Sequence, residues 1–181
     1  MPTPIGHSLA GYVLYAERNG ANWQLDRLDL LLFMVFANIP DLDFLPGFFA
    51  GNPNMYHHGM THSIFFALVV SIVVGVAYSI IRKKEMMKMS IILFVTYASH
   101  LLLDFLGKDT RQPFGEQLFW PFTSEYYISP FALFSDVHKA SHSDIFLKSL
   151  FNWHNLTTMA IEVAILTPIL LLVLNRKKQS L

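Results

Sequence analysis

The sequence predicts an all-α, multi-pass helical membrane protein, with three long transmembrane helices and a shorter helical hairpin at the N-terminus. Three observations predict it. Of 181 residues, 53% are hydrophobic and 14% charged, and the mean hydropathy of +0.40 lies above that of most soluble domains. The apolar residues are gathered into long blocks instead of recurring at the spacing of one buried helix face. Clusters of Lys and Arg stand directly beside those blocks.

The long elements are residues 63–81, 89–107 and 156–174, each 19 residues. At the rise of an α-helix each extends about 28 Å, close to the hydrocarbon thickness of a bilayer. A soluble helical protein with buried helices is the alternative, and the scarcity of charge in the first and third blocks argues against it. Seven of the thirteen Lys and Arg residues form two clusters, Arg82, Lys83, Lys84 with Lys88, and Arg176, Lys177, Lys178. Positive flanks stay cytoplasmic, so the first helix runs inward, the second outward and the third inward. Residues 108–155 are then extracytoplasmic, and their many aromatics, Trp120, Phe122, Tyr126 and Tyr127 among them, suit an interfacial belt or a lid.

Residues 5–16 and 28–39 are apolar but too short to cross a bilayer alone, and a polar turn over 17–27 joins them. They are expected to form a hairpin that is re-entrant, spanning or laid against the bundle, with Asn38-Ile39-Pro40 stopping its second arm. Residues 1–6 lack a basic region followed by an apolar core, so no cleavable signal peptide is expected. One domain over 1–181 accounts for the whole pattern. The absence of cysteine removes disulfides, thiolate metal sites and thiol catalysis. With zero net charge, no nucleic-acid partner is expected; the partners are the membrane and a lipid or lipid-linked substrate.

The residues able to bind a metal are concentrated in a few short stretches. His100 and Asp104 are spaced i, i+4, so a helix projects both from one face. They lie about 18 Å and 24 Å from Lys88 along that helix, near its outer end, at the level of His62. Ionisable groups at such depth are costly and by default functional. His57, His58 and His62 fall within six positions at a helix entry, with Thr61 a candidate N-cap. Asp41 and Asp43 stand one residue apart in a loop opened by Pro40, a pattern equally common in solvated turns. His7 is a lone histidine. Asp136, His138, His142 and Asp144 are more readily the polar face of a surface helix than part of a site. Glu162 could serve as a base, support a ligand histidine, or reach the headgroup region.

In order, these motifs are Gly-His at 6–7, Pro-Asp-x-Asp at 40–43, His-x-Gly-x-Thr-His-Ser at 57–63, Ser-His-x-x-x-Asp at 99–104 and Trp-Pro at 120–121. As an ordered set over residues 6–122 they resemble the YdjM-type family of bacterial inner-membrane proteins, read as metal-dependent hydrolases of unestablished substrate. The resemblance implies His7, Asp41, Asp43, His57, His62, His100 and Asp104 as metal ligands. The order is also similar, more distantly, to the zinc-dependent phospholipase C and P1 nuclease group, which hydrolyses phosphate esters. His58 stands where the family commonly has arginine, so it would replace a contact to an anionic substrate or add a ligand.

The expectation is therefore a hydrolase in the bacterial cytoplasmic membrane with its site facing outward. Two or more divalent ions, Zn²⁺ first with Mn²⁺ or Fe²⁺ as alternatives, would activate water for attack on a lipid phosphate ester or phosphodiester. Asp41 and Asp43 are the natural bridging carboxylates, and Asp41, Asp43 and His58 the candidate catalytic groups. The rival is a non-catalytic metal-binding membrane protein, a transporter, sensor or scaffold. A transporter needs polar residues through the bilayer, yet residues 73–81, 89–98 and 166–174 lack ionisable side chains.

Overall fold

Pro4 opens the first helix, α1 (Pro4–Asn19), at the position where a missing N–H costs nothing. The computed structural model describes residues 1–19, 27–83 and 85–179, so most of the expected 17–27 turn, and Lys84, lie outside the described residues. Helix α2 (Arg27–Phe36) stops before Pro40, which starts a single 3₁₀ turn, Pro40–Asp43, leading into the short α3 (Phe44–Phe49). Helix α4 (Ile64–Arg82) is capped by Ser63, whose hydroxyl accepts the Phe66 N–H at 3.1 Å. Thr61, the expected cap, instead donates to Asp43 Oδ2 at 3.0 Å. Lys83, in the left-handed region at φ 51°, ends α4, and α5 (Met86–Phe105) returns alongside it. After the outer segment come α6 (Ser143–Ser149) and α7 (Trp153–Gln179). The last outruns its apolar block because a polar first turn and a basic last turn are helical too.

Three of these helices, α4, α5 and α7, are long and apolar enough to cross a membrane. The buried face of α4 consists of Ala67, Ser71, Gly75 and Ser79, four small residues at a four-residue spacing. A Cβ at Gly75 would stand 2.8 Å from Ser90 Cα, so the stripe lets the α4 and α5 backbones approach closely. The bulky residues of α4, Val73, Ile80 and Ile81, are exposed, the inside-out distribution that lipid permits and water does not. Between α1, α2 and α5 lies an aromatic and aliphatic core of Phe33, Phe36, Leu93, Tyr97 and Leu101.

Helix α1 packs among α2, α5 and α7. A Cβ on Gly6 would meet Glu162 Oε2 at 2.7 Å, and one on Gly11 would meet the Phe33 carbonyl at 2.7 Å, so both glycines exist for close approach. Glu162 contacts Thr3 and not a ligand histidine: buried on α7, it accepts the Thr3 N–H at 2.8 Å together with the Thr3 hydroxyl and pins the start of α1. At its other end α1 presents Glu17 to Arg176 and Lys177 of α7. Helix α2 runs back, from Asp29 beside Arg18 and Arg82 to Ala37, whose carbonyl meets His100.

Residues 107–152 fold over the end where α5 terminates, through isolated bridges of Gly107 to Phe134 and Glu116 to Tyr127. The Gln117 N–H donates to the His58 carbonyl at 3.1 Å and the Ile64 N–H to Leu118 at 3.0 Å, which ties this cap to the site. Residues 136–142 form no helix, contrary to the expected polar helix face; α6 begins only at Ser143. The backbone there is held by side chains, as Asn155 Oδ1 accepts the His138 N–H at 2.7 Å.

Candidate metal centre

Asp104, delivered by the last turn of α5 and 5% exposed, is the carboxylate around which the histidines gather. His100, one turn earlier, places Nε2 3.4 Å from Asp104 Oδ2; His62 Nε2 and His58 Nε2 each lie 3.5 Å from the same oxygen. His7, from α1, brings Nε2 within 3.3 Å of Asp104 Oδ1 and stacks on the His100 ring at 3.7 Å. Asp41 Oδ1 lies 3.8 Å from His62 Nε2, 3.7 Å from His100 Nε2 and 4.0 Å from His57 Nδ1. Residues from α1, the 3₁₀ turn, the 57–63 loop and α5 thus meet at one depth.

Asp43 sits behind this ring and orients it. Its oxygens engage His57 Nδ1 at 2.9 Å, His62 Nδ1 at 3.1 Å, the His58 N–H at 3.0 Å and the Thr61 hydroxyl at 3.0 Å. The main chain contributes further anchors, with His100 Nδ1 donating to the Ala37 carbonyl at 2.8 Å and His58 Nδ1 to the Gly115 carbonyl at 2.9 Å. Carbonyls and carboxylates only accept, so Nδ1 of His58, His62 and His100 carries a proton and their Nε2 atoms are left to a metal or a further proton, while His57 Nε2 rests 2.9 Å from the Met1 sulfur. This is the support that metal-binding histidines require. His58 holds a left-handed φ of 65°, a conformation costly for a non-glycine residue, fixed here by its three hydrogen bonds, to Asp43, to the Gly115 carbonyl and from the Gln117 N–H.

His62 Nε2 and His100 Nε2 face each other at 3.2 Å. Two lone pairs at that distance repel unless a cation or a proton lies between them. Several buried atoms of the same group lack a hydrogen-bond partner, namely both oxygens of Asp104, Asp41 Oδ1, His58 Nε2 and both nitrogens of His7. Orphaned buried polar atoms call for a missing partner. The residues therefore fit a divalent cation with mixed imidazole and carboxylate ligands.

Among the described residues, four groups place ligand atoms within 4.8 Å of one another. Three share residues and form one continuous centre, comprising Asp41, His62, His100 and Asp104; His57, His58 and His62; and Asp41, Asp43 and His57. His7 touches Asp104 without belonging to any of them. The fourth group, Asp136, His138 and His154, is separate and nearer solvent, and His142 belongs to none of the four.

The electrostatics follow from burial and the carboxylates. Burial drives the His57 pKa well below its ordinary value, helped by the Lys139 charge, which keeps that ring neutral. Burial also works to lower His62, but Asp43 and Asp104 outweigh it and raise its pKa well above the usual range. Without a metal the centre thus collects a proton at His62. Glu116, 1% exposed with both oxygens unpaired, has its pKa pushed well above normal by burial and by Asp104. Lys139 is buried too, and burial lowers its pKa to about 8. No spacing in the sequence pointed to Glu116, Lys139 or His154, since each comes from the irregular cap or its junction with α7.

A helical bundle with three membrane-length helices and a buried His/Asp centre at one end defines a multi-pass membrane protein whose residues could hold a metal. The chain belongs to the YdjM inner membrane protein family, whose model matches residues 1–179, and it is accordingly an inner-membrane protein. Comparison with curated proteins and with solved structures gave no match.

Proposed function

We propose that the protein is a metal-dependent hydrolase acting on a lipid phosphate ester or phosphodiester at the outer leaflet of the inner membrane. The observation that carries this reading is the convergence of the His62 and His100 Nε2 atoms, 3.2 Å apart, on the unpartnered oxygens of Asp104 and Asp41. Asp41, His62, His100 and Asp104 would hold one ion, with His57, His58 and Asp43 available to a second and His7 in support. Such an ion, zinc by its ligand set or else manganese or iron, polarises a phosphoryl oxygen and acidifies water. Asp43 fixes the tautomers of His57 and His62, and so decides which nitrogens are offered. Asp41 is the shared carboxylate, and His58 sits at the floor of an adjacent open cleft where a substrate anion would enter.

Orientation supports the outer-leaflet side. The basic ends of α4 and α7 lie opposite the centre, at the cytoplasmic face by the charge rule. On this reading α1 and α2 lie against the bundle, with their far ends beside Arg176 and Arg82. The ligand order, similar to that of the zinc-dependent phospholipase C and P1 nuclease group, favours phosphorus over a carboxylic ester or amide.

The test is elemental analysis of purified protein beside a His100→Ala, Asp104→Ala variant, followed by assay on lipid phosphate esters. Bound zinc or manganese in the parent, lost in a folded variant together with ester hydrolysis, is the expected result. Metal without turnover of any ester would leave a sensor or scaffold, and no metal after repletion would remove the hydrolase mechanism.

A further inference from the structure

Beside the centre lies a polar cleft of about 430 Å³, with His57 and His58 on its floor and Thr110, Arg111, Tyr126 and Lys139 in its walls. Its two side-chain cations are held by neutral partners, and the Met1 ammonium, also in the lining, donates to the Lys108 carbonyl at 2.9 Å. Lys139 Nζ rests 2.6 Å from the Met1 sulfur and 4.7 Å above the Phe44 ring. The Arg111 guanidinium donates to Ser141 Oγ at 2.9 Å and to the Lys139 carbonyl. The carboxylates in the same wall are already engaged. Asp109 accepts from the Gly115 and Arg111 N–H groups, both at 2.9 Å, and Asp136 accepts from Thr110 at 3.0 Å and faces His154 at 3.2 Å. Asp109 and Asp136 balance the formal side-chain charge of the lining, but among the described residues no carboxylate lies within ion-pair distance of Arg111 or Lys139, so both cations can donate to an anion beside the metal ligands.

A second cavity, about 730 Å³ and apolar, lies between the start of α1 and the corner joining α6 to α7. Ile5, Leu150, Phe151, Trp153, Leu156 and Met159 line it. Phe151 and Trp153 are 89% and 80% exposed, the placement of aromatics at a membrane interface. Val137 lines both cavities, so the polar cleft and the apolar groove meet across one side chain.

We infer that the two cavities together bind a single amphiphile, with an anionic phosphate headgroup between Arg111 and Lys139 and one hydrocarbon chain in the groove, passing over Val137. The inference rests on the lipid-phosphate reading of the centre and adds how that substrate is recognised. The groove selects the chain, and the short reach across Val137 limits what lies between chain and phosphate. A free phosphate would use only the cleft, and a neutral lipid only the groove.

The test is photo-crosslinking in zwitterionic nanodiscs, with zinc-loaded protein and a non-hydrolysable alkyl phosphonate bearing a diazirine on its chain. A probe with the same chain and a phosphocholine headgroup is the control. The phosphonate is expected to label peptides containing residues 3–5 and 150–159, and the control to spread over the lipid face of α4. Labelling should fall about tenfold in Lys139→Gln and in Arg111→Gln, the loss of one charged hydrogen bond each. Val137→Trp, filling the passage, and Phe151→Ser, at an exposed position, should also reduce it with zinc content unchanged. Equal groove labelling by both probes, or none by the phosphonate, overturns the inference. Because the probe is never turned over, labelling and hydrolysis fail independently. Specific labelling without ester hydrolysis would refute the catalytic reading alone, and hydrolysis without labelling would refute this binding path alone.

Discussion

Asp104 and Glu116 are both buried carboxylates with no hydrogen-bond partner on either oxygen, yet their surroundings oppose each other. Asp104 faces four histidines, while at Glu116 burial and the Asp104 charge outweigh the opposing charges of His62 and the N-terminal ammonium. Glu116 therefore holds its proton, and the sign of its effect on stability follows. In metal-free protein, the unfolded chain ionises Glu116 above about pH 4.5 while the folded one does not. The stability it contributes is complete below that pH and is lost as pH rises towards the folded pKa. Glu116→Gln should thus gain on the parent between about pH 5 and pH 7, by up to roughly 1.4 kcal/mol per pH unit. Chelator-treated protein unfolded in mixed micelles across that range checks this, and a difference that does not change with pH would mean the carboxyl ionises freely.

At the scale of elements, α4 and α5 carry the clearest device. Small residues every fourth position on α4 bring its backbone against α5, and α5 in turn sets the height of His100 and Asp104 relative to His62. Gly75→Leu must push Ser90 and its helix away, at a cost of about 1–3 kcal/mol for overpacking. Ser71→Ala, on the same stripe and without a hydrogen bond to lose, should be close to neutral. Unfolding in mixed micelles separates the two, and a tolerated Gly75→Leu would show that the interface does not need close approach. The same substitution should lower zinc content when binding is measured near saturation, because the α5 ligands move with their helix.

For the molecule as a whole, charge asymmetry and site position make one topological statement. The ion pairs Glu17 with Arg176 and Asp29 with Arg82 mark one end, and the His/Asp centre with its aromatic cap marks the other. A reporter fused after Lys178 should read cytoplasm, and one inserted within 136–144 should read the outer side. Two cytoplasmic readings would reverse the placement of the site. Within residues 73–81, 89–98 and 166–174 there is no Asp, Glu, Lys, Arg or His.

Helix type, the membrane-length spans and part of the centre were legible in short-range pattern, while His7, Asp41 and Asp43 stood as ligands only through the family resemblance. Apolar block length defines a span, a four-residue spacing puts His100 and Asp104 on one face, and an Asp pair after a proline marks a turn. Cap and register were read less well. Ser63 took the capping role expected of Thr61 because Asp43 claims the Thr61 hydroxyl, a contact across eighteen residues. The polar helix expected around His138 does not form, since Asn155 of α7 holds the His138 N–H and carbonyl. By itself the sequence determined which residue types are available and at what membrane depth, for local periodicity and hydropathy act along one chain segment. Only the tertiary structure decided which lone pairs meet, that Lys139, Arg111 and Glu116 border the centre, and that a polar cleft opens into an apolar groove. Those facts arise from packing between segments remote in sequence, where no local spacing carries the information.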